Sequence, residues 1–214
     1  MTTDKFEVLK NPNRERIIRE FIDSNEALEF SFIKDLVSDP DGTSRPDYHL
    51  DELVKAGLLK RIKKRGFYKL NERNIQKLRI EFQKTVPVCL VGGLGIPTLF
   101  TDILAALEEI SILPKKYIMI TSPDYHEEFR RFEKGKYSEM KTIVHEFDYQ
   151  SVLRENYNKV YTELEKIIKK EIYEFEIICE VTGGTKPVSI ALLNLSNHYS
   201  LRRCYFSGRK IIWI

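Results

Sequence analysis

Near its carboxyl end the chain runs Glu180-Val181-Thr182-Gly183-Gly184-Thr185-Lys186-Pro187-Val188. Glycines here would let the backbone take positive φ and come close to a ligand. The residues that follow open a helix, with Pro187 tolerated in its first turn. Unpaired N–H groups at a helix start, the Thr185 hydroxyl and the Lys186 ammonium would then converge on one point. That chemistry suits a phosphate or another anion. A plainer reading stands beside it, because strand-to-helix turns commonly contain glycine and bind nothing. The spacing is neither that of a P-loop nor GxGxxG. A second run, Gly92-Gly93-Leu94-Gly95-Ile96-Pro97-Thr98, repeats the theme. It reads either as a tight packing turn or as the other half of the same site, with the Thr98 hydroxyl added. Ser122 is a third candidate. His126, His145 and His198 are scattered and read as surface or core residues rather than catalytic bases.

The elements that must position these groups follow from the hydrophobic pattern. Residues 175–181 are short, apolar and rich in β-branched side chains, as in an inner parallel strand. From Pro87 onward strands and helices alternate: strands at 86–91, 116–121, 142–147 and 175–181, helices at 98–110, 149–170 and 186–199, and a hairpin of 203–206 with 210–214. Alternation of this kind predicts an α/β fold with a mostly parallel sheet. Ligands in such sheets sit beyond the carboxyl ends of the strands, where both glycine turns belong.

The segment before it reads as a small helical module. Asn11-Pro12-Asn13 starts a helix with Ile17, Ile18, Phe21 and Ile22 on one face. Phe32, Ile33, Leu36 and Val37 mark a second helix, with Ser31 as its cap. Residues 46–56 form a third, faced by Leu50, Leu53 and Val54 and ended by Gly57. Two short strands at 58–60 and 67–70 surround a basic tip. Residues 1–80 hold 17 Lys and Arg against 14 Asp and Glu, the whole of the net +3 charge. Six of those cations fall between Lys60 and Lys69 with no acid among them, a grouping that neutralises phosphates. The domains expected are 1–72, a connecting helix over 73–86, and 87–214. The connection lacks a Gly or Ser run and is read as a rigid link.

Cys89, Cys179 and Cys204 lie in apolar runs, are odd in number and show no metal-ligand spacing, so they read as reduced core residues. No run of about 18 apolar residues predicts a membrane span, and a cytoplasmic protein is expected.

The run Val181-Thr182-Gly183-Gly184-Thr185-Lys186-Pro187 resembles the signature of the CARF family, the CRISPR-associated Rossmann fold, and Val144-His145-Glu146-Phe147-Asp148 resembles that family's strand-end segment. The resemblance covers roughly the last 130 residues. It implies a Rossmann-like fold, a homodimer and a pocket for cyclic oligoadenylate, with cyclic tetra-adenylate the foremost candidate. The ligand set would be Gly92, Gly93, Leu94, Gly95, Thr98, Ser122, Thr182, Gly183, Gly184, Thr185 and Lys186. The N-terminal order of three helices and a basic hairpin resembles the winged helix-turn-helix family, with Val54-Lys55-Ala56-Gly57-Leu58-Leu59 as the passage from recognition helix to wing. That implies contacts to double-stranded DNA by Thr43, Ser44, Arg45, Tyr48 and His49, and by a wing of Lys60, Arg61, Lys63, Lys64 and Arg65. Arg45 is the candidate for reading a base edge. In familiar CARF regulators the winged helix follows the CARF domain, and here it precedes it.

Two functions remain open from the sequence. One is a cyclic oligoadenylate-controlled transcription regulator with no cofactor and no metal. The other is a ring nuclease, in which the ribose 2′-hydroxyl attacks the adjacent phosphate and Lys186 stabilises the developing charge.

Overall fold

The computed structural model describes residues 5–38, 45–62, 66–93, 97–121, 136–147 and 157–214. The chain divides into two compact units, Met1–Lys84 and Thr85–Ile214.

In the first unit, α1 (Pro12–Ser24) is capped by the Asn11 side chain, which accepts from the backbone N–H groups of Asn13 and Arg14. Pro12 fits the first turn, and Asn25 stops the helix in the left-handed region at φ 60°. The inward stripe is Ile17, Ile18, Phe21 and Ile22, all buried as its spacing predicts. A two-residue strand, β1 (Leu28–Glu29), precedes α2 (Phe30–Val37). The second helix therefore begins one residue before Ser31 and has no side-chain cap. Phe32 is exposed while Ile33 and Val37 are buried. α3 (Pro46–Lys55) leads through Gly57, at φ +73°, into β2 (Leu59–Arg61) and β3 (Phe67–Leu70). These strands form an antiparallel sheet in the order β1-β3-β2, with Leu28 opposite Tyr68.

The helix over 75–81, α4 (Ile75–Glu81), buries Ile75 and Leu78 and lies within this first unit. Asn74, itself buried, donates from Nδ2 to the Gly57 carbonyl at 2.8 Å, and Lys84 meets Asp23 at 2.7 Å. The helix expected as a connection is thus tied into the fold of the N-terminal unit by apolar burial and polar contacts.

The second unit is α/β. Its elements are β4 (Val88–Gly93), α5 (Pro97–Glu109), β5 (Lys116–Thr121), β6 (Lys141–Glu146), α6 (Tyr157–Glu171), β7 (Glu176–Glu180), α7 (Lys186–Tyr199), β8 (Arg202–Ser207) and β9 (Lys210–Trp213). The six strands run β6-β5-β4-β7-β8-β9, parallel except for the β8–β9 hairpin. Counted within this unit the order is 3-2-1-4-5-6, the Rossmann arrangement, with its switch point between β4 and β7. One sheet face packs Leu90, Tyr117 and Ile178 under Phe100, Leu104 and Leu107 of α5. Phe100 stacks on Tyr117 with centroids 5.2 Å apart. α6 contributes Val160, Leu164 and Ile168 to the core, and α7 contributes Val188, Ala191 and Leu192.

β5 and α7 fall on their expected bounds. β4 extends two residues beyond its expected end, so Gly92 and Gly93 are strand residues and not turn residues. At the amino edge of the sheet Lys116 and Glu171, both buried, form an ion pair of 2.6 Å. The three cysteines are free and buried, and burial pushes the thiols of Cys89 and Cys204 up to about 12. Among the described residues no helix is long and apolar enough to cross a membrane.

Candidate functional site

β4 and β7 are neighbours at the switch point, in parallel register with Gly92 beside Glu180. Their carboxyl ends therefore open into the same crevice, one leading toward α5 and the other through the turn at 182–186 into α7. The two glycine segments touch. A Cβ on Gly93 would lie 2.9 Å from Val188 Cγ1 and 3.2 Å from both the Gly183 carbonyl oxygen and the Gly184 Cα. A Cβ on Gly184 would lie 3.1 Å from the Gly93 Cα, and Gly184 also adopts φ +85°. Glycine is thus required by close approach at Gly93, and by approach and conformation at Gly184. Gly183 does not take positive φ, contrary to the expectation that both turn glycines would use it.

Above this contact α7 begins. Thr185 occupies the N-cap position with φ −79° and ψ 157°, but its hydroxyl makes no capping bond. That oxygen is shielded from solvent and has no partner among the described residues. The first N–H groups of a helix have no intrahelical acceptor, and Pro187 has no N–H to offer. Lys186 is exposed at the helix start. An idle hydroxyl, free amide N–H groups, a helix dipole and an ammonium all present positive ends, so the group they suit is an anion. Ser189 Oγ donates to the Gly183 carbonyl at 3.2 Å, which satisfies that acceptor from within the turn.

Thr182 has a different role from Thr185. Its backbone N–H donates to Glu180 Oε1 at 2.6 Å, and its Oγ1 accepts from the Phe206 N–H of β8 at 2.6 Å. It braces the turn between two strands. Glu180 is fully buried, and burial pushes its carboxyl up to about 6, against the pull of hydrogen bonds from the Thr182 hydroxyl and the Thr182 and Gly183 N–H groups. Its Oε2 has no partner among the described residues. That oxygen fills the space beside Gly92, 2.9 Å from where a Cβ would stand, with the buried Tyr117 hydroxyl 3.1 Å from the same point. Sequence reasoning did not single out Glu180 or Tyr117. An acid at the end of an otherwise apolar strand was the available signal for Glu180.

Of the remaining expected ligand residues, Thr98 lies in the first turn of α5 with its side chain exposed. Leu94, Gly95 and Ser122 fall outside the described residues. His145 belongs to a separate cleft of about 270 Å³ between β5, β6 and α6, and burial pushes its imidazole below the usual histidine range. His198 sits in the last turn of α7, with its ring against Tyr199. His126 falls outside the described residues.

In the first unit Tyr48 is exposed at the start of α3, with the Arg14 guanidinium 5.3 Å from its ring centre. His49 is buried, its Nε2 3.4 Å from Asn13 Nδ2 of α1. The expected contact face of α3 thus keeps Tyr48 outward and turns His49 inward. The exposed cations are partnered by acids of the same unit: Arg45 with Asp47 at 3.3 Å, Arg61 with Asp51, and Lys60 with Glu72. The Arg45 and Arg61 pairs are exposed, and pairs of this kind are held by at most about 1 kcal/mol, so a phosphate can displace the carboxylate, whereas Glu72 is largely buried. Thr43, Ser44, Lys63, Lys64 and Arg65 fall outside the described residues.

No family model matches the chain, and no curated relative matches it. Among solved structures, Can2 from Sulfobacillus thermosulfidooxidans in complex with cyclic tetra-adenylate aligns with a TM-score of 0.46 and 19% identity, over 59% of this chain and 34% of its own. Protein VC1899 from Vibrio cholerae aligns with a TM-score of 0.48 and 14% identity, over 59% of this chain and 33% of its own. The aligned part therefore spans about a third of the length of either structure.

Proposed function

We propose that the second unit is a CARF domain that senses cyclic oligoadenylate, cyclic tetra-adenylate foremost, and that the first unit is a winged helix-turn-helix that binds double-stranded DNA. The protein is then a CRISPR-associated transcription regulator under the control of a cyclic nucleotide ring. The observation that carries the reading is the apposition of Gly93 and Gly184 at the switch point, beneath an α7 start whose N-cap hydroxyl is idle. The apposition seats the turn against the end of β4, and the shielded Thr185 hydroxyl at the start of α7 is the donor beside it that a phosphodiester would use. The signature at 181–187 selects this class of ring among anions. A ring of repeating adenylates suits a homodimer in which two copies of the turn face one ligand, and a two-fold dimer suits a palindromic operator.

Support for the N-terminal assignment is the element order α1-β1-α2-α3-β2-β3 with its sheet order β1-β3-β2. Tyr48 and Arg45 stand exposed at the start of α3, and Lys60 and Arg61 lead toward the hairpin tip. Ligand control requires the ring to bind the DNA-competent and DNA-incompetent states with different affinity.

Calorimetry of the full chain with cyclic tetra- and hexa-adenylate tests the reading. Micromolar or tighter binding of one ring is expected, and failure of both to bind overturns it. Chromatography of the ring after incubation separates the two activities. An intact ring supports the sensor, and linear products replace it with ring cleavage by 2′-hydroxyl attack.

A further inference from the structure

Among the described residues, Glu180 is the site-adjacent acid whose environment the ligand reading leaves unexplained. It is fully buried at the carboxyl end of β7, and every described hydrogen bond it accepts is one made by the turn that would hold the ligand. Its second oxygen faces Gly92 without a partner, although a buried carboxylate normally has both oxygens satisfied. The groups facing it do not carry charge. Tyr117 reaches it from β5 and Cys204 stands beside it on β8, and burial drives both to titrate far above neutral pH. Cys179, on its own strand, is raised in the same way. α5 covers that face with apolar Phe100 and Leu104, and its Asp102 is exposed. Lys186, exposed at the start of α7, is the cation that the ligand itself would engage. Among the described residues a negative charge at Glu180 therefore has only hydrogen bonds to hold it, in a region where a second negative charge is to arrive.

Resting on the ligand reading above, we propose that Glu180 is a positioning residue of the anion site and that it takes up a proton when the anion binds. As a neutral acid it still accepts the Thr182 N–H through Oε1 and keeps the turn in place. Its Oε2 then carries the proton in place of a charge, and the repulsion toward the incoming phosphate is gone. The step is a proton transfer from solvent to Oε2, with no bond to the ligand formed or broken.

The sign is fixed by linkage. The free protein holds this carboxyl at about 6, and a bound anion shifts it further up. Affinity is therefore full below pH 6 and falls as pH rises through the higher value of the complex. A one-unit shift on binding makes the ring bind about sevenfold more tightly at pH 5.5 than at pH 8. A cyclic phosphodiester keeps its charge across this range, so the ligand contributes no titration of its own.

Calorimetric titration of the full chain with cyclic tetra-adenylate at pH 6.5, in two non-phosphate buffers of different protonation enthalpy, measures the proton directly. Uptake of a fraction of a proton per site is expected, and equal heats in both buffers overturn the inference while leaving ligand binding intact. No binding in either buffer overturns the ligand reading and this inference with it. Glu180→Gln should bind about tenfold more tightly than wild type at pH 8 and lose the pH dependence. A folded Glu180→Gln that keeps the wild-type slope places the proton elsewhere and also overturns it. Should that variant not fold, the wild-type titration still decides.

Discussion

Lys116 and Glu171 meet at 2.6 Å at the amino edge of the six-stranded sheet, each less than a tenth exposed, with the Lys116 ammonium also 5.3 Å from the Phe175 ring centre. Glu180, at the carboxyl edge of the same sheet, is at least as deeply buried and, among the described residues, has hydrogen bonds but no cation, with one oxygen unmatched. Thr185 Oγ1 and Thr121 Oγ1, on the turn and at the end of β5, are likewise shielded and unpartnered among the described residues. One end of the sheet thus closes its buried charges into a pair, and the other leaves polar atoms open. A closed buried pair is scaffold, because removing either member strands the other. Unmatched buried polar atoms are costly, and under the proposed reading those of Glu180 and Thr185, beside the switch point, are the ones a ligand would bear on.

The sharpest way to break this contrast is at the closed end. Lys116→Met leaves Glu171 buried and uncompensated and should cost about 3–5 kcal/mol, read by urea denaturation. Lys116→Met combined with Glu171→Leu should recover most of that loss. At the open end Gly93→Ala forces a methyl against Val188 and the backbone of Gly183 and Gly184. It should cost about 1–3 kcal/mol and lower ring affinity at least tenfold, since the two glycine segments must part. If it binds the ring unchanged, the apposition is packing and not a site.

Glu180 gives an intermediate effect with a definite sign. Its folded value near 6 lies above the ordinary glutamate 4.5, so its neutral form favours folding below pH 4.5 and that contribution is lost as pH rises through 6. Wild type relative to Glu180→Gln should lose about 2 kcal/mol of stability between pH 4 and pH 7. A constant difference across that range contradicts the burial argument. Lys186→Ala should leave stability within about 0.5 kcal/mol, because the side chain is exposed. The same change should weaken ring binding roughly tenfold or more, as a lost charge-assisted contact. The smallest effect belongs to the basic hairpin. Replacing Lys60 and Arg61 by Ala should lower the slope of log affinity for DNA against log salt by about one for each cation. An unchanged slope removes both from the interface.

Much of this was legible in the sequence, for reasons that differ from one element to the next. β5 and α7 fell on their bounds because period and punctuation agree there: Lys116 and Thr121 flank an apolar run, and Pro187 marks a first turn. β1 escaped notice because two residues, Leu28 and Glu29, cannot display a period; the strand exists through pairing with Phe67 and Tyr68. β4 overran its expected end because glycine reads as a turn signal, whereas Gly92 and Gly93 extend a strand whose neighbours fill the missing side chains. The same tertiary crowding explains why Gly93 is constrained although its conformation is ordinary. Thr182 and Thr185 look equivalent in a motif, and only the fold gives one to Phe206 and Glu180 and leaves the other idle. His49 looked like part of a contact face until the packing of α3 against α1 turned it inward.

The order 3-2-1-4-5-6 also governs when the site can come into being. Gly93 ends the first strand of the second unit and Gly184 follows its fourth, 91 positions later in the chain. Contacts so distant in sequence form late, because loop closure must precede them. The crevice therefore needs both strands in place, and under the proposed reading so does the ring. A ligand at a hundred times its dissociation constant adds about 2.7 kcal/mol to the native state alone. Under the proposed reading, the ring would by that increment also hold the chain back from its unfolded and degradable forms.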